Sequence, residues 1–233
     1  MTPPTLGVIL AGGLARRMGG GDKGLRLVGG ERVLDRLVRQ MSPQVAGLAV
    51  NANDDPARFA DLGLPVVPDT VPDRPGPLAG VIAALDWAAA HPSRAAWIVT
   101  VPGDCPFMPA DLVARLHEGR GTAELACAAS GGWTHPVVGL WPLSVRDALL
   151  AAVQDGMRKI DAFTARYATA AVEWPATPVD PFFNVNTPDD LAEADRLTRN
   201  EASPPSPSGR GRGEGNRKNP PQFLQRRPDP ASG

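Results

Sequence analysis

Short apolar runs alternate with helix-like segments along the first 120 residues, and this alternation constrains the fold more than any other feature of the sequence. The runs are apolar and often β-branched, which is typical of strands buried on both faces of a parallel sheet. The segments between them place apolar residues at three- and four-residue spacing, as amphipathic helices do. A repeated strand–helix order predicts an α/β fold: a single domain with a doubly wound, mostly parallel sheet and helices on both faces. The predicted strands are 6–11, 48–51, 65–67 and 96–101, and the predicted helices are 31–41, 77–90 and 109–119.

The sequence up to residue 199 predicts a more irregular continuation of the same domain. Apolar runs and helical spacing recur there, but turn residues interrupt them more often. We therefore interpret residues 1–199 as one domain. The predicted elements are a strand pair at 124–129 and 136–140, helices near 142–155 and 158–166, a strand near 170–174, and a last helix from Pro188 to about Arg199.

Residues 200–233 differ in composition from this domain. Sixteen of these 34 residues are Pro, Gly or Ser, and Phe223 and Leu224 are the only large apolar ones. Such a segment buries too little apolar surface to offset the entropy of ordering, so we expect a disordered tail. Its six basic residues could bind an acidic partner or RNA, but a solvated extension without a catalytic role is the preferred interpretation.

Composition and charge exclude several classes of protein. The chain has 233 residues, of which 42% are hydrophobic and 21% charged, as in soluble globular proteins. No run approaches the about 18 apolar residues of a membrane span, and the N-terminus lacks the features of a secretory signal. Two cysteines cannot form a disulfide framework, so we expect a cytoplasmic protein without membrane contact. The body carries 18 basic and 22 acidic residues, which argues against nucleic acid as a partner.

A glycine-rich loop follows the first predicted strand, in "LAGGLARRMGGGDKG" at residues 10–24. Its backbone N–H groups can bind anionic oxygens, and Arg17 and Lys23 add positive charge. A G-x-G-x-x-G pattern lies within it, but nine residues beyond the strand, which is too far for a dinucleotide fingerprint. Lys23 is followed by glycine instead of the Ser or Thr of a P-loop. We prefer phosphate binding to a solvated surface loop.

Polar residues follow the other three predicted strands as well. Asn51 ends the second strand, Asp69 follows the third and Asp104 follows the fourth. Because ligands bind beyond the carboxyl ends of parallel strands, these residues predict one composite site. A carboxylate that faces a phosphate loop suits Mg²⁺, so Asp104 is the candidate metal ligand. A turn or N-cap role remains the alternative for Asp104, and ordinary turn chemistry the alternative for Asp69.

Two further segments carry candidate ligand contacts. "RPGPLAG" at 74–80 leads into a helix whose first N–H groups, near Gly80, either face a ligand or only start a rigid helix. "FFNVN" at 182–186 predicts a short strand with Asn184 and Asn186 at alternate positions, and therefore on one face. Helix capping explains the residues that follow but not these two asparagines.

The histidines and cysteines indicate neither a zinc site nor an activated nucleophile. His135 is the one histidine that we consider for a ligand contact, whereas His91 and His117 are expected at the surface. Cys105 follows Asp104 and is interpreted as a small residue in a tight turn.

Taken together, these motifs resemble a known family. "LAGG-x3-RMGG-x-DKG" is similar to the signature of nucleotidyltransferases with a glycosyltransferase-A-like, Rossmann-like fold. The order and spacing of "VNAN", "PD-x6-GPLAG", "GD-x-P", "HP" and "NVNTPDDL" resemble the molybdenum cofactor guanylyltransferases, from about Leu6 to Arg199.

The resemblance implies a reaction in which GTP and molybdenum-bound molybdopterin give the guanine dinucleotide form of the cofactor and pyrophosphate. It implies Mg²⁺ as cofactor, a monomer or weak homo-oligomer, and a product passed to molybdoenzyme-maturation proteins. The implied catalytic residues are Lys23, Asp104 and Arg17, with Asp104 as the metal ligand. The implied binding residues are Leu10, Ala11, Gly12, Gly13, Gly19, Lys23, Asn51, Asp69, Gly80, Asn184 and Asn186.

One position departs from the family pattern. Where the family commonly has Cys-Asp-Thr-Pro, this chain has Gly103-Asp104-Cys105-Pro106, so any hydroxyl contact from the threonine is in doubt. Two alternatives stay open: a related nucleotidyltransferase that uses CTP or a sugar-phosphate acceptor, and an inactive nucleotide-binding regulator.

Overall fold

The computed structural model describes residues 1–12, 23–53, 55–71, 76–201 and 225–226. Within these ranges the chain forms strands, α-helices and four short 3-10 helices. The strands are β1 (Thr5–Leu10), β2 (Leu27–Val28), β3 (Glu31–Arg32), β4 (Gly47–Asn51), β5 (Val66–Val67), β6 (Trp97–Pro102), β7 (Leu125–Ser130), β8 (Trp133–Pro142), β9 (Thr169–Trp174) and β10 (Gln225–Arg226). The α-helices are α1 (Val33–Met41), α2 (Pro77–Ala90), α3 (Leu112–Arg120), α4 (Arg146–Gln154), α5 (Ile160–Thr164) and α6 (Pro188–Glu201); the 3-10 helices are Lys23–Leu25, Ser42–Gln44, Pro56–Leu62 and Leu143–Val145.

A central sheet organises the molecule. Its strand order is β5-β4-β1-β6-β8-β7-β9, with β10 added on β8. β1 pairs in parallel with both β4 and β6, β4 pairs in parallel with β5, and β7 with β9. β8 runs antiparallel to β6, β7 and β10. The predicted doubly wound, mostly parallel α/β fold is confirmed.

The sheet separates two apolar cores. Successive residues of a strand point to opposite faces, so Val8 packs into one core and Ile9 into the other. Leu85 of α2 and Phe163 of α5 belong to the core that contains Val8. Leu34 of α1, together with residues of α3 and α6, belongs to the core that contains Ile9. The helices therefore cover both faces, as predicted.

Helix α2 matches its prediction at both ends, residues 77 and 90. It is apolar on most of its circumference, and its first half is buried on all sides. Helix α3 begins at Leu112 and not at Pro109, because residues 110 and 111 form a turn. Boundary shifts of this size are usual where a helix starts from a turn.

The hairpin of β2 and β3 is absent from the sequence prediction. Each strand has only two residues, too few for a periodic pattern to show. Gly29 and Gly30 connect them with positive φ angles of 61° and 83°, which a two-residue hairpin turn requires. The N–H of Gly29 donates to Oδ1 of Asp195 at 2.6 Å, which joins the hairpin to α6.

Strand β8 is longer than predicted and is bulged. Cys127 pairs with Gly139 while the next residue of β7, Ala128, pairs with His135, so residues 136–138 of β8 form the bulge. Pro136 lies in this bulge, where a residue without an N–H is tolerated. The bulge displaces the first residues of β8 relative to β6.

Two residues beyond the domain also belong to the sheet. Gln225 and Arg226 pair with Thr134 and Trp133 of β8. The rest of the tail beyond Glu201 lies outside the described residues, so its predicted disorder stays a prediction. No helix among the described residues has the length and apolar character to cross a membrane.

Candidate active site at the carboxyl edge of the sheet

The carboxyl end of β1 lies between two polar strand ends. The N–H of Ala11 donates to the carbonyl oxygen of Asn51 at 2.8 Å, and the N–H of Gly103 donates to that of Leu10 at 2.9 Å. These bonds hold the ends of β4 and β6 on either side of Leu10 and Ala11. Because the three strands are parallel, their carboxyl ends meet at one edge, as the sequence predicted.

A network of amides and a carboxylate forms on the β4 side. Nδ2 of Asn51 donates to the Val67 carbonyl at 3.0 Å and to Oδ1 of Asp69 at 2.9 Å. Asn53 donates from Nδ2 to Oδ2 of Asp69 at 2.8 Å and accepts from the Asp69 N–H at 2.7 Å. Asn51 is 3% exposed and uses both amide hydrogens inside the protein, so it positions Asp69. Each carboxylate oxygen of Asp69 retains acceptor capacity toward a ligand.

Gly80 brings α2 against this network. A Cβ at position 80 would lie 2.5 Å from Oδ1 of Asn51 and 3.0 Å from Cδ2 of Leu10. Glycine is therefore the residue that fits, and its role is close packing of the helix on the strand ends. Thr70, the neighbour of Asp69, donates from its hydroxyl to Oδ2 of Asp86 on α2 at 3.0 Å, which fixes the same segment from the helix side.

The predicted phosphate loop is described only at its two ends. Gly13, Arg17 and Gly19 lie outside the described residues, and for Lys23 only the backbone, at the start of a 3-10 helix, is described. Gly12 at the first end is exposed, and a Cβ there would lie 3.6 Å from Nδ2 of Asn53. At the second end, a Cβ on Gly24 would lie 3.1 Å from the Gly103 carbonyl oxygen, directly beside Asp104. The loop therefore starts at the Asn53 side and returns at the Asp104 side.

Asp104 occupies the turn after β6 and is half-buried. Its carbonyl oxygen accepts from the Val185 N–H at 2.8 Å, which brings the Asn184–Asn186 segment against this turn. Arg36 of α1 donates from Nε to the Pro106 carbonyl at 3.0 Å and fixes the turn from below. This bond places the segment that carries Asn184 and Asn186 beside Asp104, although residues 182–186 form no strand, contrary to the prediction.

The donor set at Asp104 fits Mg²⁺. No group of three or more His, Cys, Asp or Glu residues that could hold a metal forms among the described residues. Mg²⁺ is commonly held by one or two carboxylates together with substrate phosphates and waters, and needs no all-protein cage. A single carboxylate beside the end of a glycine-rich loop matches that pattern.

His135 belongs to a buried polar network that lies behind the Asn184 segment. Its Nε2 lies 2.8 Å from the Ser130 hydroxyl, which donates to Oδ1 of Asp180 at 2.8 Å. The same Asp180 oxygen accepts from the Phe182 N–H at 2.9 Å, and the Phe182 ring packs at a tilt against His135, with 4.8 Å between the ring centroids. Burial lowers the pKa of His135 to about 4, with Asp180 partly opposing it, so the imidazole is neutral. His135 supports the chain segment that carries Asn184.

The expectation for His117 was wrong. Its Nε2 lies 2.7 Å from the Thr5 hydroxyl of β1, and its ring packs edge-on against Trp97 at 5.4 Å. Burial, helped by the charge of Arg120, lowers its pKa to about 4. His117 lies on the side of α3 that faces the amino end of the sheet, where it contacts Thr5 and Trp97.

A cavity of about 470 Å³ lies at the opposite edge of the sheet, between the end of α2 and the start of β6. Its lining includes His91, Arg94 and Trp97 but no carboxylate or carboxamide side chain. The carboxylate and carboxamide side chains lie together at the carboxyl edge instead. A group of polar side chains that face one another is a better indicator of a functional site than the size of a cavity.

Comparison with known proteins decides the family. The sequence model of the MobA-like NTP transferase domain matches residues 7–171. The chain belongs to this family. It is a nucleotidyltransferase, in agreement with the resemblance seen in its motifs. A molybdenum cofactor guanylyltransferase of Nitrobacter hamburgensis is 57% identical over 198 residues, covering 84% of this chain and 95% of that protein.

Solved structures show the same fold. The molybdopterin-guanine dinucleotide biosynthesis protein A of Archaeoglobus fulgidus matches with a TM-score of 0.65 at 22% identity, over 84% of this chain and 100% of that one. A Mycobacterium tuberculosis protein, solved in complex with manganese, matches with a TM-score of 0.59 at 20% identity, over 83% and 98% of the two chains. At these identities the likeness establishes the fold.

Sequence reasoning missed three residues that build the site. Asn53 was visible as part of the "VNAN" motif, and its spacing of two from Asn51 was the available signal. Ser130 and Asp180 gave no local signal, because their partnership with His135 depends on contacts between distant segments. The predicted residues that the structure brings together are Leu10, Ala11, Gly12, Asn51, Asp69, Gly80, Asp104 and Asn184. Asn186 follows in the same segment, and its N–H donates to Oδ2 of Asp190 at 3.1 Å.

Proposed function

We propose that this chain transfers GMP from GTP to the terminal phosphate of molybdenum-bound molybdopterin and releases pyrophosphate. The observation that carries the proposal is the meeting, at Leu10 and Ala11, of the Asn51–Asp69 network on one side and the Asp104–Asn184 grouping on the other. Two chemically different half-sites that flank one loop suit a reaction that joins a nucleotide to a phosphorylated acceptor. The names of the relatives supply the identity of base and acceptor.

The reaction needs positioning more than covalent chemistry. An oxygen of the acceptor phosphate attacks the α-phosphorus of GTP in line; the new P–O bond forms as the bond to the β-phosphate bridging oxygen breaks. Pyrophosphate leaves with that electron pair, so no enzyme nucleophile takes part. Catalysis then depends on fixed orientation and on stabilising charge at the phosphates.

The half-sites divide these tasks. The strand-end backbone of Leu10, Ala11, Gly12 and Gly13 would contact the nucleotide, and Asp69, held by Asn51, would bind its nucleoside part. Gly80 keeps α2 close enough to support that network. Arg17, Gly19 and Lys23 of the loop would bind the triphosphate. On the other side, Asn184 and Asn186 would bind the acceptor phosphate.

Asp104 would hold the divalent cation. We assign Mg²⁺, which would neutralise charge that develops at the transferred phosphoryl group. Asp104 lies where the returning end of the loop meets the Asn184 segment, and this position supports the assignment. We further propose that the enzyme acts in the cytoplasm, as a monomer or weak homo-oligomer, and passes its product to molybdoenzyme-maturation proteins.

Pyrophosphate release from each nucleoside triphosphate, with Mg²⁺ and molybdopterin, tests the proposal. We expect release with GTP, and a loss of at least about 100-fold in Asp104→Asn, because one metal-binding carboxylate is removed. Asp155→Asn, an exposed carboxylate at the end of α4, is the matched control and keeps full activity.

Three outcomes would contradict the assignment. Release with CTP alone indicates a cytidylyltransferase, and release only with a sugar phosphate indicates a different acceptor. Binding of GTP without release under any condition indicates a nucleotide-binding regulator. Full activity of Asp104→Asn would remove the metal assignment and leave the reaction standing.

A further inference from the structure

Cys105 is buried against the segment that carries Asn184. It is 1% exposed, although its neighbour Asp104 is only half-buried. Its Sγ lies 2.6 Å from Oδ1 of Asn184 and 3.7 Å from the Phe182 carbonyl oxygen. The thiol therefore fills the space between the Asp104 turn and residues 182–184, in the place where the family pattern has a threonine.

The contact has a chemical direction. A neutral thiol has one S–H donor, and both neighbouring oxygens only accept. Oδ1 of Asn184 at 2.6 Å is much nearer than the Phe182 carbonyl oxygen at 3.7 Å, so the Cys105 S–H points at Oδ1 of Asn184. The Asn184 nitrogen is then on the far side of the amide group, and it has no hydrogen-bond partner among the described residues. Asn184 is half-buried at the carboxyl edge, so this N–H₂ group is available to a ligand.

Backbone contacts alone do not set this orientation. The Val185 N–H to Asp104 carbonyl bond fixes the main chain, and the buried Val185 side chain anchors the segment in the core. A rotation of the Asn184 amide by 180° would exchange its oxygen and nitrogen without moving the main chain. An oxygen turned toward a phosphate would repel it, whereas an N–H₂ group donates to it.

We infer that Cys105 is a positioning residue: its thiol fixes the Asn184 amide so that the N–H₂ group faces the acceptor phosphate. This role rests on the proposed function, in which Asn184 lies on the acceptor side. Cys105 thereby links the turn that carries Asp104 to acceptor binding. Nucleotide binding, on the other side of Leu10 and Ala11, does not depend on it.

Steady-state kinetics of Cys105 variants with GTP and molybdopterin test this role. Cys105→Ala and Cys105→Val remove the donor, and we expect the KM for molybdopterin to rise about tenfold, the cost of losing one hydrogen bond to a charged group. The KM for GTP stays unchanged. Cys105→Ser restores a donor and returns the acceptor KM toward the wild-type value. Cys127→Ala, at the other buried cysteine in β7, is the control and leaves both KM values unchanged.

A double-mutant cycle separates positioning from packing. If Cys105 acts through Asn184, Cys105→Ala adds little to the acceptor KM of Asn184→Ala, because the amide is already gone. Thermal denaturation shows whether each variant is folded. Additive effects, a parallel rise in the KM for GTP, or a wild-type acceptor KM in Cys105→Ala would each contradict the positioning role. Absence of transfer by the wild-type chain would contradict the proposed function itself, and the role of Cys105 with it.

Discussion

At position 80, one missing methyl group decides how closely a helix can approach the strand ends. A Cβ there would lie 2.5 Å from a buried amide oxygen that has no room to move, since Asn51 is held by Val67 and Asp69. The sequence left open whether the first turn of α2 faces a ligand or only starts a rigid helix. In the structure Gly80 acts indirectly: it leaves the space that Asn51 needs in order to bond to Asp69.

Gly80→Ala should weaken GTP binding. The added methyl displaces Asn51 and therefore Asp69, so we expect the KM for GTP to rise and the free energy of unfolding to fall by about 1–3 kcal/mol. Steady-state kinetics and urea denaturation measure the two effects. Ala89→Gly, on the exposed side of the same helix, costs about 1 kcal/mol through helix propensity but leaves the KM for GTP unchanged. A Gly80→Ala variant with wild-type values would show that α2 can retreat from Asn51.

At the scale of elements, the β7–β8 hairpin is tied to the acceptor-side segment by buried polar groups. His135 of β8, Ser130 of β7 and Asp180 of the loop between β9 and α6 form one hydrogen-bonded network. The Gly131–Gly132 turn sets the register in which His135 lies opposite Ala128, within reach of Ser130. The neutral imidazole of His135 is part of this network, so its protonation should lower the stability of the hairpin and of the segment bonded to it.

Stability should therefore fall in mild acid. The pKa values of His135 and His117 are about 4 in the folded protein and about 6.5 in the unfolded chain, so between these values the unfolded state binds more protons. The free energy of unfolding then decreases as the pH falls from about 6.5 toward 4 and is unaffected by these groups above that window. Urea denaturation at several pH values measures the slope. His135→Gln and His117→Gln, which do not titrate, should each flatten it, and a slope identical to that of the wild type would contradict the assigned pKa values.

The hydrophobic pattern within single segments was enough to predict the parallel strands and most helices, because that periodicity is visible in consecutive residues. Helix α2 was predicted to the residue, and Asp104 and Asn184 were placed at the site from strand ends and motif order. The β2–β3 hairpin, the β8 bulge and the Ser130–Asp180 partnership were not predictable in the same way. The hairpin strands have two residues each, too few for a periodic pattern to show. The bulge and the Ser130–Asp180 partnership depend on contacts between separate segments, for which single-sequence periodicity carries no signal.

Across the whole molecule, the sheet places the two proposed half-sites on opposite sides of a single strand. The end of β1 lies between them: Ala11 bonds to Asn51 on the proposed nucleoside side, and Leu10 bonds to Gly103 on the proposed acceptor side. All these contacts involve residues before 201. The described candidate site residues therefore all precede residue 201, and in the described part of the tail Gln225 and Arg226 pair with the sheet.

A chain that ends at Glu201 should keep nucleotidyl transfer. We expect kcat and both KM values within about twofold of the full chain, because no candidate site residue is removed; surface changes of this kind typically cost less than about 0.5 kcal/mol. The same kinetics on the two chain lengths measure this. A large change in the acceptor KM would show that the tail takes part in acceptor binding.

The pairing of Gln225 and Arg226 with β8 has a consequence for competition between chains. β8 pairs with β6 on one side through Gly139 to Pro142, and β10 continues along that same side at Trp133 and Thr134, where β6 has ended. A tethered strand is present at an effective concentration in about the millimolar range. An extended peptide from another protein would have to reach comparable concentrations to take its place, so the chain's own tail protects an otherwise open sheet edge beside the site.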